Sequence, residues 1–118
     1  MGYVRVSARI YNMRDPSRFV DFEGVVDTGA VYTVVPRGLL ERIDVEVVER
    51  RRFKAFGGVV ERDVGVAVIE IMGRRGGVTV IFGEEEDTPV IGVTALEALG
   101  LEVDPIKGTL KEATLYLL

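Results

Sequence analysis

The chain has 118 residues, 47% of them hydrophobic, which suits one domain across residues 1–118 with a packed core. It contains no cysteine and no histidine. That removes disulfides, thiolate nucleophiles, Ser-His and Cys-His pairs and the usual zinc sites, and leaves acid–base work to Asp, Glu, Lys or Tyr. A net charge of −4 gives no general reason to expect nucleic acid or an anionic membrane as a partner.

From Tyr3 to Ile10 the residues alternate, with Val4, Val6, Ala8 and Ile10 on one face and Arg5, Ser7 and Arg9 on the other, the pattern of a half-buried strand. After the turn-rich NMRDPS, a second strand is predicted from about Phe19 to Asp27, and VYTVV continues beyond an Asp-Thr-Gly-Ala turn. Pro36 is expected to open a short helical piece, PRGLLERI, weakened by Gly38. Val45 to Lys54 and Val59 to Ile71 read as two long strands joined by AFGG, where Gly57 and Gly58 supply the positive φ of a tight, projecting hairpin. GRRGG is read as the next turn, leading into the strand VTVIF. PVIG is a short apolar strand ending in Gly92, and VTALEALG places Val93, Leu96 and Leu99 at helical spacing before a stop at Gly100. The closing TLKEATLYLL reads as strand. The expected fold class is mostly β, with one short helix near the C-terminal end.

Two charged runs have plain readings. Arg50, Arg51 and Arg52 suit a solvated strand face better than a phosphate site, because short basic runs are weak motifs. Gly83 to Asp87, GEEED, suits a solvated loop better than a carboxylate site for Mg²⁺ or Ca²⁺, since it lacks the spaced ligands and mid-loop glycine of a calcium loop. No metal and no cofactor is therefore expected. No leader pattern opens the chain and no uncharged apolar run reaches spanning length, so the expected setting is cytoplasmic, with no membrane partner. Gln is absent, Asn occurs once, and Arg and Glu dominate the charges, which resembles thermophile usage.

The informative residue is Asp27, a carboxylate placed after the apolar Val25-Val26 and inside the turn Asp27-Thr28-Gly29-Ala30. An unpaired carboxylate is costly to bury, so such an Asp is neutral, well bonded or facing a cleft. The turn alone is a weak signal, because Asp, Thr and Gly all favour turns for local reasons. Here it is followed by Thr33-Val34-Val35, and a second apolar-apolar-Gly element, Val90-Ile91-Gly92, precedes a helix. The combination resembles the retroviral-type (retropepsin-like) aspartic proteases.

The resemblance covers most of the chain and runs in the family's order: N-terminal strand, VVDTGA turn, Gly-tipped hairpin, VIG, helix, C-terminal strand. The DTGAxxTxxP form and the later GLEVDP look most like the small prokaryotic members. It implies a retropepsin-like closed β-barrel or sandwich with a flap hairpin, and an aspartic endopeptidase in which a water is activated between two carboxylates. Asp27-Thr28-Gly29 is the only such triplet, and Asp87-Thr88 runs into Pro89, whose missing N–H spoils a matching turn. The second carboxylate is thus expected from Asp27 of a second copy in a two-fold homodimer held by the strands around YVRV and LYLL.

By resemblance, Thr28 links the two turns and Gly29 lets the substrate backbone approach; Ala30, Tyr32 and Ile91 are expected to contact a peptide or protein substrate. If AFGG is a flap rather than an ordinary hairpin, Phe56, Gly57, Gly58 and Val59 cover the cleft. Tyr32 either lines a pocket or packs. Retroviral members commonly carry an acid at the position of Val31, paired with an Arg at the position of Val93; here both partners are apolar, which puts the familiar substrate-backbone contacts in doubt. The competing reading is a non-catalytic dimeric peptide-binding or interaction module with the same fold. A third is a processing domain acting on one protein or its own precursor.

Overall fold

The computed structural model describes residues 3–117. Eight-residue strands β1 (Val4–Tyr11) and β2 (Phe19–Val26) form an antiparallel hairpin in which Val4 faces Val26 and Tyr11 faces Phe19. The chain then passes through β3 (Thr33–Pro36) and α1 (Arg37–Arg42). It goes on through the long hairpin β4 (Glu49–Ala55) and β5 (Gly58–Ile71), then β6 (Arg74–Gly83) and the two-residue β7 (Val90–Ile91). Helix α2 (Val93–Leu99) and a small hairpin, β8 (Leu101–Asp104) and β9 (Thr109–Glu112), complete it.

The main sheet has the order β1-β2-β7-β3-β6-β5-β4, and β5 also pairs with β1 through Arg9–Glu70, Ile10–Ile69 and Tyr11–Val68. That second pairing closes β1, β2, β7, β3, β6 and β5 into a barrel, with β4 left outside on β5. The barrel fills with the alternate residues of each strand, including Ile10, Val35, Ile69, Val80 and Ile91, and is capped by Leu40 of α1 and Leu96 and Leu99 of α2. The predicted β1 face is the inner one: Ala8 and Ile10 are buried, and Val4 and Val6 pack against the core. Among the described residues no helix is long and apolar enough to cross a membrane.

Several boundaries differ from the sequence reading. Pro36 ends β3 and sits one position before α1, because its φ of −52° suits a helix while its ψ of 138° is extended. Val45 to Val48 stay outside the ladder, and β4 begins at Glu49. The turn before β6 is Met72-Gly73, both at positive φ (55° and 76°), the pattern of a type I′ hairpin. Arg74 to Gly77 of GRRGG are therefore strand, with Arg75 opposite Glu70 and Gly77 opposite Val68, and only Gly73 belongs to the turn. Gly76 marks a close approach: a Cβ there would stand 3.1 Å from Leu99 of α2. At the C-terminus only Thr109–Glu112 of the predicted strand is paired, against Leu101–Asp104, and Ala113 to Leu117 run on unpaired. Leu118 lies outside the described residues.

The basic run is used within the hairpin. Arg50 reaches Glu61 and Asp63, Arg51 bonds Glu49, and Arg37 of α1 meets Asp63 at 2.5 Å. The bond from Arg37, reinforced by that from Arg50, holds the Asp63 carboxyl below the usual carboxylate range. The folded chain thus binds fewer protons there than the unfolded one. The stabilisation is present above the unfolded value of about 3.9 and is lost as pH falls through the lower folded value. Thermal melts from neutral pH down to about pH 2.5 should show stability falling on the acid side of about pH 4. Asp63→Asn should be less stable than wild type at neutral pH and flatter in that window; an unchanged acid slope would show that Asp63 is not one of the groups responsible.

Candidate active site

Strand β2 ends at Val26, which is buried, and the next residue leaves the barrel. Asp27, Thr28 and Gly29 are exposed. The turn is shaped by the carboxylate itself: Asp27 Oδ1 accepts the Gly29 N–H at 2.9 Å, and the Asp27 carbonyl accepts the Ala30 N–H at 3.0 Å. Among the described residues no protein group bonds the second carboxylate oxygen, Oδ2. The charged residue at the end of an apolar strand is therefore neither buried nor spent on an ion pair.

The turn is held in place by the start of the second apolar element. Asp27 N–H donates to the Ile91 carbonyl at 3.0 Å, extending the parallel β2–β7 pairing, in which Val25 N–H donates to Pro89 O at 2.9 Å. Beyond Ile91 the pattern reverses: Val93 N–H donates to Ala30 O at 2.8 Å, Thr94 N–H to Val31 O at 3.1 Å, and the Thr94 hydroxyl to the same oxygen at 2.7 Å. These N–H groups belong to the first turn of α2, which have no partner inside a helix. Helix α2 has no side-chain cap because the carbonyls of the loop after Asp27 fill that role. Gly92 N–H is taken by Thr33 Oγ1 at 3.1 Å, and Thr33 is the one buried polar residue among the described core.

Where the acid and arginine of retroviral members would stand, Val31 is 54% exposed and Val93 ties the turn by its backbone. Thr94, unnoticed in the sequence, supplies the side-chain bond across this joint. Its signal was its position, second in a helix that begins just after an apolar-apolar-Gly element.

A cleft of about 440 Å³ opens beside the turn, lined by Gly29, Ala30, Tyr32, Phe53, Val60 and Arg62, among others. Of the predicted contact residues it brings together Gly29, Ala30 and Tyr32. Tyr32 stands at its wall with Phe53 edge-on, ring centroids 6.1 Å apart, and the Arg51 guanidinium 5.7 Å over its ring. Ile91 is fully buried: its side chain faces the core, and its contribution to the turn is its carbonyl. The hairpin tip projects past the cleft, with Phe56 fully exposed, Val59 60% exposed, and open space around Gly57 and Gly58. The residues that wall the cleft are instead Phe53 and Val60, which are paired across the hairpin. No cluster of three potential metal ligands occurs among the described residues.

The joint leaves no room at Gly92, where a Cβ would lie 2.5 Å from the Tyr32 carbonyl carbon and oxygen and 2.7 Å from Val31 O, all backbone. Gly92→Ala should destabilise by about 3 kcal/mol through forced displacement of the loop after Asp27. Gly77→Ala, in β6 with open space around it, should change stability by less than about 1 kcal/mol. Thr33→Val, which removes the acceptor of the Gly92 N–H, should cost about 1–3 kcal/mol, and Thr33→Ser less. Chemical denaturation of the four variants measures the series, and equal effects at Gly92 and Gly77 would contradict the close approach.

No family model and no curated protein matches the chain. Among solved structures it is similar to the solution structure of simian foamy virus (mac) protease, with a TM-score of 0.58 at 20% identity over 79% of this chain and 91% of that one. At that identity the likeness is one of fold. The chain has a retropepsin-like fold, mostly β, with its sheet closed into a barrel and an exposed Asp-Thr-Gly turn.

Proposed function

We propose that the protein is an aspartic endopeptidase of the small prokaryotic type that works as a homodimer, hydrolysing peptide bonds with a water held between the Asp27 carboxylates of its two subunits. The observation that carries this reading is the state of Asp27: exposed, fixed by one oxygen to the Gly29 N–H, with no protein group on the other among the described residues, in a turn whose Gly29 and Ala30 line an open cleft. An Asp sealed in the core would have favoured the non-catalytic module instead.

Two such carboxylates at a two-fold axis cannot both ionise, so the pair shares a proton. The ionised member takes a proton from the water as its oxygen attacks the peptide carbonyl carbon. The neutral member donates a hydrogen bond to the carbonyl oxygen as it gains charge. When the tetrahedral species collapses, the C–N bond breaks and the nitrogen leaves with a proton returned from the pair. Thr28 links the two turns, Gly29 and Ala30 let the peptide backbone lie close, and the β4–β5 tip from Phe56 to Val59 folds over the bound peptide to exclude water. Exposed apolar residues at both ends of the described chain, Tyr3 at 79% and Tyr116 at 91%, support a covered interface there.

Asp27→Asn should reduce peptide hydrolysis by at least about a thousandfold while leaving the melting curve and the sedimentation of the dimer unchanged, since the amide keeps the shape and loses the base. The wild-type pH profile of kcat/KM should be a bell, falling in acid when the second proton binds and in alkali when the shared one leaves. A statine-type peptide should inhibit and a chelator should not. Wild-type rates in Asp27→Asn, or chelator-sensitive cleavage indifferent to the statine peptide, would overturn the reading.

A further inference from the structure

The cleft beside the turn of Asp27 sets an apolar patch next to a cation at a fixed spacing. Val60 and Arg62 both line it and lie two positions apart on β5. Two strand positions span about 6.8 Å, the distance between alternate side chains of an extended peptide. Phe53, opposite Val60, and Tyr32, edge-on to Phe53, complete the apolar patch. The Arg62 side chain is one-third exposed, and its carboxylate partner, Glu84, stands 3.5 Å away and is itself 67% exposed. A pair of that length and exposure is weak and exchangeable.

The remaining charges of the cleft point the same way. Lys54 also lines it, and its one carboxylate, Asp87, is occupied in accepting the Glu84 N–H at 2.7 Å. Two cations and one carboxylate thus line the cleft. A ligand carboxylate entering the cleft displaces Glu84 from Arg62, while Glu84 returns to water at little cost.

We propose that the cleft selects extended peptides with an apolar or aromatic side chain seated on Tyr32, Phe53 and Val60 and a carboxylate side chain two positions away on Arg62. This rests on the peptidase reading for the kind of ligand, but not on turnover. Arg62 is here a specificity-determining residue and takes no part in the chemistry at Asp27.

The test is binding to the Asp27→Asn variant, followed by fluorescence anisotropy at low salt. The probes are four labelled peptides that carry Phe with Glu two residues before or after it, and the same two with Gln for Glu. In one of the two orders the Glu peptide should bind about fivefold more tightly than its Gln counterpart. Adding Arg62→Met should bring that ratio to about one, Arg62→Lys should keep most of it, and Glu84→Gln should raise it by removing the competing carboxylate. A ratio of one in both orders, a preference that survives Arg62→Met, or no binding of any of the four overturns the proposal. Cleavage of the same peptides by wild type separates the two ideas. Cleavage without Glu preference sinks this inference and leaves the endopeptidase standing, whereas Arg62-dependent binding without cleavage does the reverse.

Discussion

The structure turns on the joint between the loop after Asp27 and the start of α2. A helix must find partners for its first N–H groups, and a loop that leaves a strand must find partners for its carbonyls. Here each solves the other's problem: Val93 and Thr94 donate to Ala30 and Val31, and Gly92 donates to the buried Thr33 hydroxyl. The arrangement works because β7 runs parallel to β2 and antiparallel to β3, so Ile91 and Gly92 fit between the strands that lead into and out of the turn. Position 92 has to be glycine for space, since its φ of −85° is open to any residue. The same joint explains how an ionisable side chain can follow directly on a buried strand: the bond from Asp27 N–H to Ile91 completes the ladder as the side chain emerges.

Much of this was legible because it is local. The period-two alternation of β1, the Asp-Thr-Gly turn with its self-bonding carboxylate, and α2 with its left-handed Gly100 each follow from a few neighbouring residues. What the sequence hid depends on partners distant in the chain. Met72 is an uncommon residue at positive φ, whereas GRRGG has the composition of a turn, so the reading moved the turn onto residues that are paired strand. Gly76 is there for Leu99, which no local rule can reveal. The β8–β9 hairpin rests on Asp104, whose carboxylate accepts the Ile106 and Lys107 N–H groups, a turn that DPIKG shows only in hindsight. At the site, attention to the Gly-Gly tip favoured Phe56 and Val59. The pairing of Phe53 with Val60 places the residues that wall the cleft one step further down the hairpin.

The charges of the long hairpin belong to its exposed position. Strand β4 pairs on one side alone, and an edge of seven residues invites unwanted pairing unless charge or twist discourages it. Three consecutive arginines and a lysine serve that purpose, and Glu61 and Asp63 across the ladder balance part of their charge. Arg37 ties the base of the hairpin to α1 through Asp63, and Arg51 ties it to Tyr32. The base is therefore anchored to α1 and to Tyr32, while at the tip Phe56 is fully exposed and Gly57 and Gly58 have open space around them.

The joint of Val31, Val93 and the Thr94 hydroxyl contains no charged pair, which bears on assembly. The bonds from Gly29 N–H to Asp27 and from Thr94 to Val31 shape the turn without help from a second chain. Those bonds are available to the loop before any association. In the proposed homodimer, two preformed turns meet, so binding energy at the interface is not drawn down by loop ordering as the carboxylates come together. The same economy places a demand on the interface. In such a dimer the exposed Val31 and the exposed Tyr3 and Tyr116 near the ends of the described chain would be the apolar groups open to the interface.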